Sequence, residues 1–435
     1  MGKGQNLWRE AKQIIPGGNM LLSKRSEMFL PEIWPSYFSQ SKGCRVWDLD
    51  GNEFIDFSIM GIGTNVLGYG NQEVDAAVKS VINKGNMSTL NCPEEVYLAQ
   101  RLIDINPWSD MVKFARTGGE ANAIAIRISR AASGKDNIAI CGYHGWHDWY
   151  LSANLQDGRG LDQHLLPGLS TSGVPKGLKN TVYPFEFNDI QALKEIISNH
   201  NIGVIKMEVT RNIPPKGNFL QQVRDLADDN GVVLIFDECT SGFRQTFGGI
   251  HQVYGVSPDL AIYGKALGNG YAITAVVGRK SVMEYAQSSF ISSTFWTERI
   301  GPSAGLATLK VMESTRSWKY ITDIGGKIKD GWKEIAYRHK LDISINGINA
   351  IPSFVLNIPD FLIYKTFITQ FMLEKGYLAG NIFFCSTAHN ESEIKNYLDI
   401  LDEAFEIISI TSESERNPGE LLKAPVCHSG FKRLN

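Results

Sequence analysis

Two short apolar runs in this sequence end in side chains that can do chemistry. The first, "VVLIFDE" (232–238), ends in Asp237 and Glu238, and the second, "DLAIYGK" (259–265), ends in Lys265 ahead of a glycine-rich turn. Runs this short and this apolar are typical of buried parallel strands, whose carboxyl ends collect ligand-binding side chains at one edge of a sheet. The acid and the lysine either pair as ions at the rim of that sheet or act together on a bound group.

The second interpretation is a site for pyridoxal phosphate (PLP). This cofactor needs an amine to condense with its aldehyde, a carboxylate to keep its pyridine nitrogen protonated, an aromatic side chain against its ring and a cradle for its phosphate. Lys265 is the candidate amine, and Asp237 is the candidate carboxylate.

A candidate phosphate cradle lies in "FARTGGEANAIAIRISRA" (114–131). This segment predicts a strand, a loop of small residues and a helix, so N–H groups near Gly118 and Gly119 would face an anion from the helix N-terminus. A glycine loop that merely turns the chain explains the same pattern.

The segment "IAICGYHGWHDW" (138–149) ends another predicted strand with Tyr143 and His144, where a ring could stack on a cofactor. Ordinary packing of aromatic residues around a loop is the alternative. The spacing of His144 and His147 also raises the question of a metal site. No third ligand recurs at a suitable spacing, however, so we expect no metal centre.

Composition limits the classes of function. The 435 residues carry a formal net charge of -3, with 43% hydrophobic and 20% charged residues, which favours neither nucleic acid nor an anionic membrane as a partner. Six cysteines are scattered without a C-x-x-C pair, and no apolar run approaches the length of a membrane span. We therefore expect a cytoplasmic protein that acts on small molecules.

The middle of the chain alternates predicted strands and helices, which indicates an α/β fold with a parallel sheet covered on both faces. The predicted strands are 111–115, 137–141, 202–207, 232–236 and 260–263, and the predicted helices are 120–132, 189–200 and 220–230. Asp50-Gly51 predicts a hairpin near the N-terminus, and the tail mixes strand and helix patterns. We expect a large domain over 61–315 and a small α+β domain built from 1–60 and 316–435.

The segment "LIFDECTSGFRQTFGGIHQVYGVSPDLAIYGKALGNG" (234–270) resembles the signature of class III (subgroup II) PLP-dependent aminotransferases. Other segments that stand in the family order cover most of the chain: "VWDLDGNEFIDF" (46–57), "TGGEANAIAIRISRA" (117–131), "GYHGWHDW" (142–149) and "STFWTERIGPSAGLAT" (293–308). Within the family, the similarity is to glutamate-1-semialdehyde 2,1-aminomutase.

The resemblance implies fold type I of the PLP enzymes, with a mixed, mostly parallel sheet in the large PLP-binding domain. It implies that Lys265 carries the cofactor as a Schiff base, that Asp237 pairs with the pyridine nitrogen and that Tyr143 stacks on the ring. Glu208 matches a family glutamate near the cofactor. The phosphate contacts that it implies are Thr117, Gly118, Gly119 and, from the neighbouring subunit of a homodimer, Thr294.

The implied activity is transfer of an amino group from an amino-acid donor to a small aldehyde or ketone acceptor by a ping-pong mechanism. Intramolecular transfer, as in an aminomutase, is the main alternative. Another PLP reaction, such as decarboxylation or racemisation, and a non-catalytic binding protein also stay open. The sequence departs from the aminomutase pattern at Gly119 and Val209, near the expected substrate entrance. The resemblance therefore implies the family but does not imply that the substrate is glutamate-1-semialdehyde.

Overall fold

The structure, a computed structural model, describes residues 2–156, 160–164, 167–210, 212–414, 417–432 and 434. The chain divides into two compact units, one formed by Gln72–Trp318 and the other by Met1–Asn71 together with Lys319–Asn435. All of the site residues predicted above fall in the first of these, which is called the large unit below.

The α-helices, in chain order, are α1 (Lys3–Ile14), α2 (Met60–Gly63), α3 (Gln72–Ile82), α4 (Pro93–Ile105), α5 (Gly118–Ser133), α6 (Asp148–Leu151), α7 (Ile190–Asn199), α8 (Phe219–Asp229), α9 (Lys280–Met283), α10 (Ile300–Thr315), α11 (Ser317–Arg338), α12 (Phe361–Glu374) and α13 (Glu391–Ser412). The strands are β1 (Phe38–Lys42), β2 (Arg45–Asp48), β3 (Glu53–Phe57), β4 (Met111–Ala115), β5 (Asn137–Cys141), β6 (Val182–Pro184), β7 (Ile202–Glu208), β8 (Val233–Asp237), β9 (Leu260–Tyr263), β10 (Thr274–Gly278), β11 (Ile343–Asn346), β12 (Ser353–Leu356) and β13 (Tyr377–Ala379). Among the described residues, no helix combines the length and the apolar character needed to cross a membrane.

The large unit is built on a seven-stranded sheet in the order β4-β10-β9-β8-β7-β5-β6. The pairs from β9 to β6 are parallel, whereas β10 runs antiparallel to both of its neighbours, β4 and β9. The central strands β7, β8, β9 and β10 are buried along their whole length, as expected of a sheet covered on both faces. The predicted α/β class with a mixed, mostly parallel sheet is confirmed.

The predicted strands agree closely with the observed ones. Strands β5 and β9 have their predicted bounds. Strand β7 ends one residue later than predicted and β8 both starts and ends one residue later, so that Glu208 and Asp237 are the last residues of their strands. Strand β10 was not predicted, because its run "TAVVG" directly follows the glycine-rich turn and was not separated from it.

Helix α5 covers one face of this sheet and starts three residues after the end of β4. Its apolar residues pack into a buried cluster with residues from five of the strands: Ala121, Ile124, Ala125, Ile128, Ile138, Ile140, Val204, Ile235, Ile262 and Val276. Thr117 and Glu120 form a reciprocal capping box at its N-terminus, and Gly134 ends it in the left-handed conformation at φ 64°. The sequence thus fixes where the N-terminal N–H groups of α5 lie, at the end of β4.

The second unit contains a four-stranded sheet in the order β1-β2-β3-β13 and the separate hairpin β11-β12. Strands β2 and β3 pair antiparallel around the Asp50-Gly51 turn, which confirms the predicted hairpin, and Gly51 has a φ of 88° that an L side chain rarely adopts. Strand β13 pairs parallel with β3 and so joins the two ends of the chain in one sheet.

Candidate active site

Four neighbouring strands deliver the predicted site residues to one edge of the sheet. Strands β9, β8, β7 and β5 are adjacent, and Glu208 lies opposite Asp237 in the register of β7 and β8. Lys265 comes two residues after β9, and Tyr143 comes two residues after β5. The structure therefore brings these four predicted residues, with His144, to the carboxyl edge.

Lys265 has an unusual backbone conformation. Its φ is 44°, in the left-handed region that costs a non-glycine residue about 1–3 kcal/mol. The Lys265 Nζ donates a hydrogen bond to the Thr240 hydroxyl at 2.8 Å. The preceding Gly264 has no room for a side chain, since a Cβ there would lie 2.7 Å from the Cys239 sulfur. The surrounding chain thus holds a strained lysine against a hydroxyl partner that the sequence analysis did not identify.

Asp237 is a buried carboxylate with three neighbours. Its Oδ2 accepts a hydrogen bond from His144 Nδ1 at 2.9 Å and lies 3.4 Å from Lys206 Nζ, and its Oδ1 accepts the Cys239 N–H at 3.1 Å. Burial raises the pKa of Asp237, but the charge of Lys206 and the His144 hydrogen bond outweigh it and hold the pKa well below its usual range. The carboxylate is therefore ionised at neutral pH.

His144 orients this carboxylate. The ring is fully buried, with Nδ1 against Asp237 and Nε2 3.2 Å from the Cys141 carbonyl oxygen. Both neighbours are acceptors, so an imidazolium would satisfy both. Burial first, and then the charge of Lys206, nevertheless lower the pKa of His144. We conclude that His144 is neutral near pH 7 and donates from Nδ1.

His147 and His144 have different contacts. The His147 ring stacks on Trp146 with centroids 4.5 Å apart, and it lies beside Gly119, where a Cβ would approach His147 Cε1 to 2.7 Å. Within the described ranges, no group of three or more potential metal ligands occurs.

The N-terminus of α5 forms the predicted anion cradle only in part. The Thr117 hydroxyl accepts the Glu120 N–H at 3.3 Å, and the Thr117 N–H donates to Glu120 Oε2 at 2.9 Å, so Thr117 serves as the helix cap. Gly118 and Gly119 occupy the first two helical positions, whose N–H groups have no partner within a helix. Gly118 lies next to Cys239, because a Cβ at Gly118 would be 3.2 Å from the Cys239 sulfur, so the positive end of the α5 dipole lies near the turn that follows Asp237.

Thr294 lies apart from this buried cluster. It is exposed, in a single 3-10 turn over Thr294–Thr297. Arg116, which follows β4, donates to the carbonyl oxygens of Trp296 and Glu298, both at 2.9 Å. The turn is thereby fixed beside the strand from which α5 starts, with Thr294 facing solvent.

The sequence analysis missed Lys206, which lies in the middle of β7. Its side chain is fully buried and its ammonium group pairs with Asp237. The signal was a lysine inside the apolar run "IGVIKM" (202–207), since buried charges are rare unless they are paired.

Cys239 was also missed. Burial first, and then the charge of Asp237, raise the pKa of its thiol to about 11. The thiol beside Lys265 is therefore neutral at physiological pH.

Glu208 supports the loop that carries Tyr143. Its carboxylate accepts the Tyr143 N–H at 3.1 Å, and the Tyr143 ring packs edge-on against Tyr150 with centroids 5.9 Å apart. A cavity of about 240 Å³ opens beside Glu208. Its described lining residues are Cys141, Gly142, Gln163, His164, Glu186, Phe187, Glu208, Asn212 and Ile213.

The donor set at this edge fits PLP. An ionised buried carboxylate suits a protonated ring nitrogen, a lysine amine suits an aldehyde, and a helix N-terminus suits a phosphate.

Among the arginines of the family motifs, Arg299 is already held by Glu94 at 2.8 and 2.7 Å, and buried Arg244 donates to the Thr240 carbonyl.

The chain matches a known family over most of its length. The family model described as aminotransferase class-III matches residues 32–357. The 3-aminobutyryl-CoA aminotransferase of Cloacimonas acidaminovorans (strain Evry) is 32% identical over 381 residues, which cover 85% of this chain and 87% of that protein. The glutamate-1-semialdehyde 2,1-aminomutase of Sulfurihydrogenibium azorense is 31% identical over 432 residues, which cover 93% of this chain and 99% of that protein.

Solved structures share the fold. The FumI protein of Sphingopyxis sp. MTA144, in its PLP internal aldimine form, superposes with a TM-score of 0.86 at 24% identity, covering 97% of this chain and 100% of that one. The omega-transaminase from Sphaerobacter thermophilus superposes with a TM-score of 0.82 at 22% identity, covering 93% and 97%. From its sequence relatives and its fold together, the chain belongs to the class-III aminotransferases, a family of enzymes that depend on PLP.

Proposed function

We propose that this enzyme transfers an amino group from an amino-acid donor to a separate aldehyde or ketone acceptor, with Lys265 as the catalytic lysine. The observation that carries the proposal is that the amine of Lys265, a residue with a strained backbone, lies at the same sheet edge as the ionised, buried Asp237. When bound, PLP supplies an electron sink for the carbon that loses a proton.

Lys265 has two tasks in this proposal. Its Nζ binds the cofactor between turnovers, and once released it takes the proton from the α-carbon of the donor as a general base. The Thr240 hydroxyl, 2.8 Å from Nζ, holds the amine in place between these tasks. Asp237 holds the ring nitrogen, His144 fixes the Asp237 carboxylate, and Tyr143 lies against the ring.

The phosphate is assigned to the N–H groups of Gly118 and Gly119. The Thr117 hydroxyl already caps α5, so its contribution to the phosphate is smaller than the family pattern implies. Because neither glycine offers a hydroxyl, the dipole and N–H groups of α5 carry most of this interaction.

Trapping the covalent link tests the assignment of Lys265. Purified protein is treated with borohydride and digested, and the peptide that contains Lys265 is expected to gain the mass of a pyridoxyl group. Lys265→Ala should lose both the label and the visible absorption of the cofactor, whereas exposed Lys310→Ala should keep both. A label on another lysine would overturn the assignment.

A second candidate is an aminomutase, in which donor and acceptor are one molecule. The 31% identity to an aminomutase over nearly the full length of both chains favours it. A single amino-aldehyde supplied alone distinguishes the two, because only a mutase converts it fully without an added partner. A transferase instead needs a second carbonyl substrate, and the screen should include β-amino thioesters, in view of the CoA-linked relative.

We further propose that the active enzyme is a homodimer with shared sites. The loop around Thr294 carries strongly exposed aromatic residues, with Phe290 at 88% and Phe295 at 68%, and exposed apolar patches mark interaction surfaces. Neither Lys265→Ala nor Thr294→Trp should be active alone. A hybrid dimer of the two should regain one complete site, and an inactive hybrid of normal mass would contradict shared sites.

A reducing compartment, the cytoplasm, is the proposed location. All six cysteines are free, and Cys44, Cys141, Cys385 and Cys427 are buried. Secreted proteins usually use such residues in disulfides. Fractionation of cells that express the tagged protein tests this proposal.

A further inference from the structure

Lys206 is a buried cation that none of the proposed roles uses. It stands in the middle of β7, and its neighbours in register are Ile140 of β5 and Ile235 of β8. Both isoleucines belong to the apolar cluster beneath α5. Burial of an ammonium group among such neighbours is costly, so its charge must be matched nearby.

The charge of the Lys206 ammonium group is only partly compensated by its neighbours. Lys206 Nζ lies 3.4 Å from Asp237 Oδ2, which is longer than a usual charge-assisted hydrogen bond, and the same oxygen already accepts the His144 N–H at 2.9 Å. The Lys206 Nζ is fully buried and has no hydrogen-bond partner of good geometry in the described part of the chain. Burial lowers the pKa of Lys206, and the charge of Asp237 is the strongest opposing influence, with a smaller one from Glu208.

The other titratable groups around Lys206 contribute less negative charge to it than Asp237 does. His144 and the Cys239 thiol are neutral near pH 7, and Glu208, which accepts the Tyr143 N–H, contributes less to Lys206 than Asp237 does. Asp237 is thus the direct counter-charge both for Lys206 and, under the proposed function, for the ring nitrogen. Lys206 and the ring nitrogen would compete for this one close carboxylate, and in a medium of low dielectric constant it cannot match both cations well.

We propose that Lys206 is a positioning residue that shares one proton with the ring nitrogen across Asp237: Lys206 Nζ is charged before the cofactor binds and gives up its proton when the ring nitrogen carries one. This inference rests on the proposed contact of Asp237 with the cofactor. With the cofactor bound, Lys206 would lose one proton to Asp237, Asp237 would pass a proton to the ring nitrogen and stay ionised, and Lys206 would remain as a neutral amine. The total charge of the cluster does not change.

The consequence is that Lys206 tunes the basicity of the ring. With the lysine present, protonation of the ring nitrogen competes with protonation of Lys206. Without the lysine, Asp237 favours the protonated ring alone. The ring nitrogen should therefore titrate at a lower pH in the natural protein than in Lys206→Met, by about 1–3 pH units if the charge of Lys206 acts at close range.

The test counts protons by calorimetry. Full-length protein freed of cofactor is titrated with pyridoxine 5′-phosphate, which has the ring and the phosphate but no aldehyde to react with Lys265. Titration in buffers of different ionisation enthalpy gives the number of protons taken up on binding. Lys206→Met should take up about one more proton than the natural protein, because its ring proton must come from solvent.

Controls separate this inference from the proposed function. Lys113→Met, in strand β4 of the same sheet, should bind the same number of protons as the natural protein. Lys206→Leu provides a second variant, and circular dichroism checks that each variant is folded. Equal proton uptake in natural protein and both Lys206 variants would overturn the inference, even if borohydride still labels Lys265. Failure to label Lys265 would instead overturn the proposed function.

A second readout does not depend on proton counting. With ¹⁵N in the cofactor ring, the nitrogen chemical shift followed against pH reports ring protonation directly. A midpoint at higher pH in Lys206→Met supports the sharing of one proton, and coincident midpoints contradict it.

Discussion

Replacing Asp237 by Asn tests the charge pair at the centre of the site without any cofactor. The substitution preserves shape and removes the negative charge, so Lys206 is left as a buried ammonium group without a counter-ion. Breaking a buried pair in this way costs about 3–5 kcal/mol. The protein can escape part of this cost by deprotonating Lys206.

Deprotonation of Lys206 limits the loss of stability in Asp237→Asn and makes that loss depend on pH. Taking an ordinary lysine of pKa about 10.4 to its neutral form costs about 4 kcal/mol at pH 7.5 and about 1.2 kcal/mol at pH 9.5. Burial already lowers the pKa of Lys206 in the natural protein, and Asp237→Asn removes the charge that most opposes this shift. The pKa of Lys206 is therefore lower still in the variant, and the variant's deficit relative to the natural protein shrinks as the pH rises toward the unfolded pKa. We expect a loss of about 3 kcal/mol at pH 7.5 and about 1 kcal/mol at pH 9.5.

Thermal unfolding of the cofactor-free protein, followed by circular dichroism, measures this loss. For a unit of this size, each kcal/mol lowers the unfolding temperature by about 2–4 °C, so the deficit is about 6–12 °C at pH 7.5. Exposed Asp229→Asn should change little at either pH. Adding Lys206→Met should restore at least about 1 kcal/mol to Asp237→Asn at pH 7.5. A deficit that is equal at both pH values and is not rescued by Lys206→Met would refute a charged Lys206 in the cofactor-free protein.

Three further predictions concern the surroundings of the site. Cys239, with a thiol pKa of about 11, should react with iodoacetamide at pH 8 far more slowly than a free cysteine, and Asp237→Asn should speed the reaction, as peptide mass spectrometry can follow. Gly119→Ala should push the His147 ring away and weaken PLP binding by roughly tenfold in a spectroscopic titration, whereas unchanged affinity would show that the ring moves freely. His251→Leu removes the donor 2.9 Å from buried Glu238 and should lower stability by about 2–4 kcal/mol in thermal unfolding, with the cofactor spectrum preserved.

The positions of the two principal side chains could be predicted from the sequence. Asp237 and Lys265 each follow a short apolar run bounded by turn residues, and in a parallel sheet such runs end at one edge. The sequence did not predict how the two are held. The positive φ of Lys265 and its bond to Thr240 depend on how the turn after β8 packs against the turn after β9, and no local pattern encodes that contact.

Lys206 and Thr117 show a different limit. A charged residue inside an apolar strand pattern has no explanation along the chain, because its partner, Asp237, lies on a neighbouring strand. The Thr117 hydroxyl could in principle face an anion or cap α5, and the choice depends on the side chain of Glu120. In both cases the residue type was visible, but its role depended on a hydrogen-bond or ion-pair partner that only the fold supplies.

The antiparallel strand β10 has a consequence for how the protein is made on the ribosome. Strand β4 lies at the outer edge of its sheet, and within the described ranges its one strand partner is β10, which the ribosome synthesises more than a hundred residues later. While the nascent chain grows, β4 and the start of α5 must therefore wait without their sheet neighbour. The turn that we propose to bind the phosphate is encoded early, but it can be completed only after the lysine segment and β10 have left the exit tunnel.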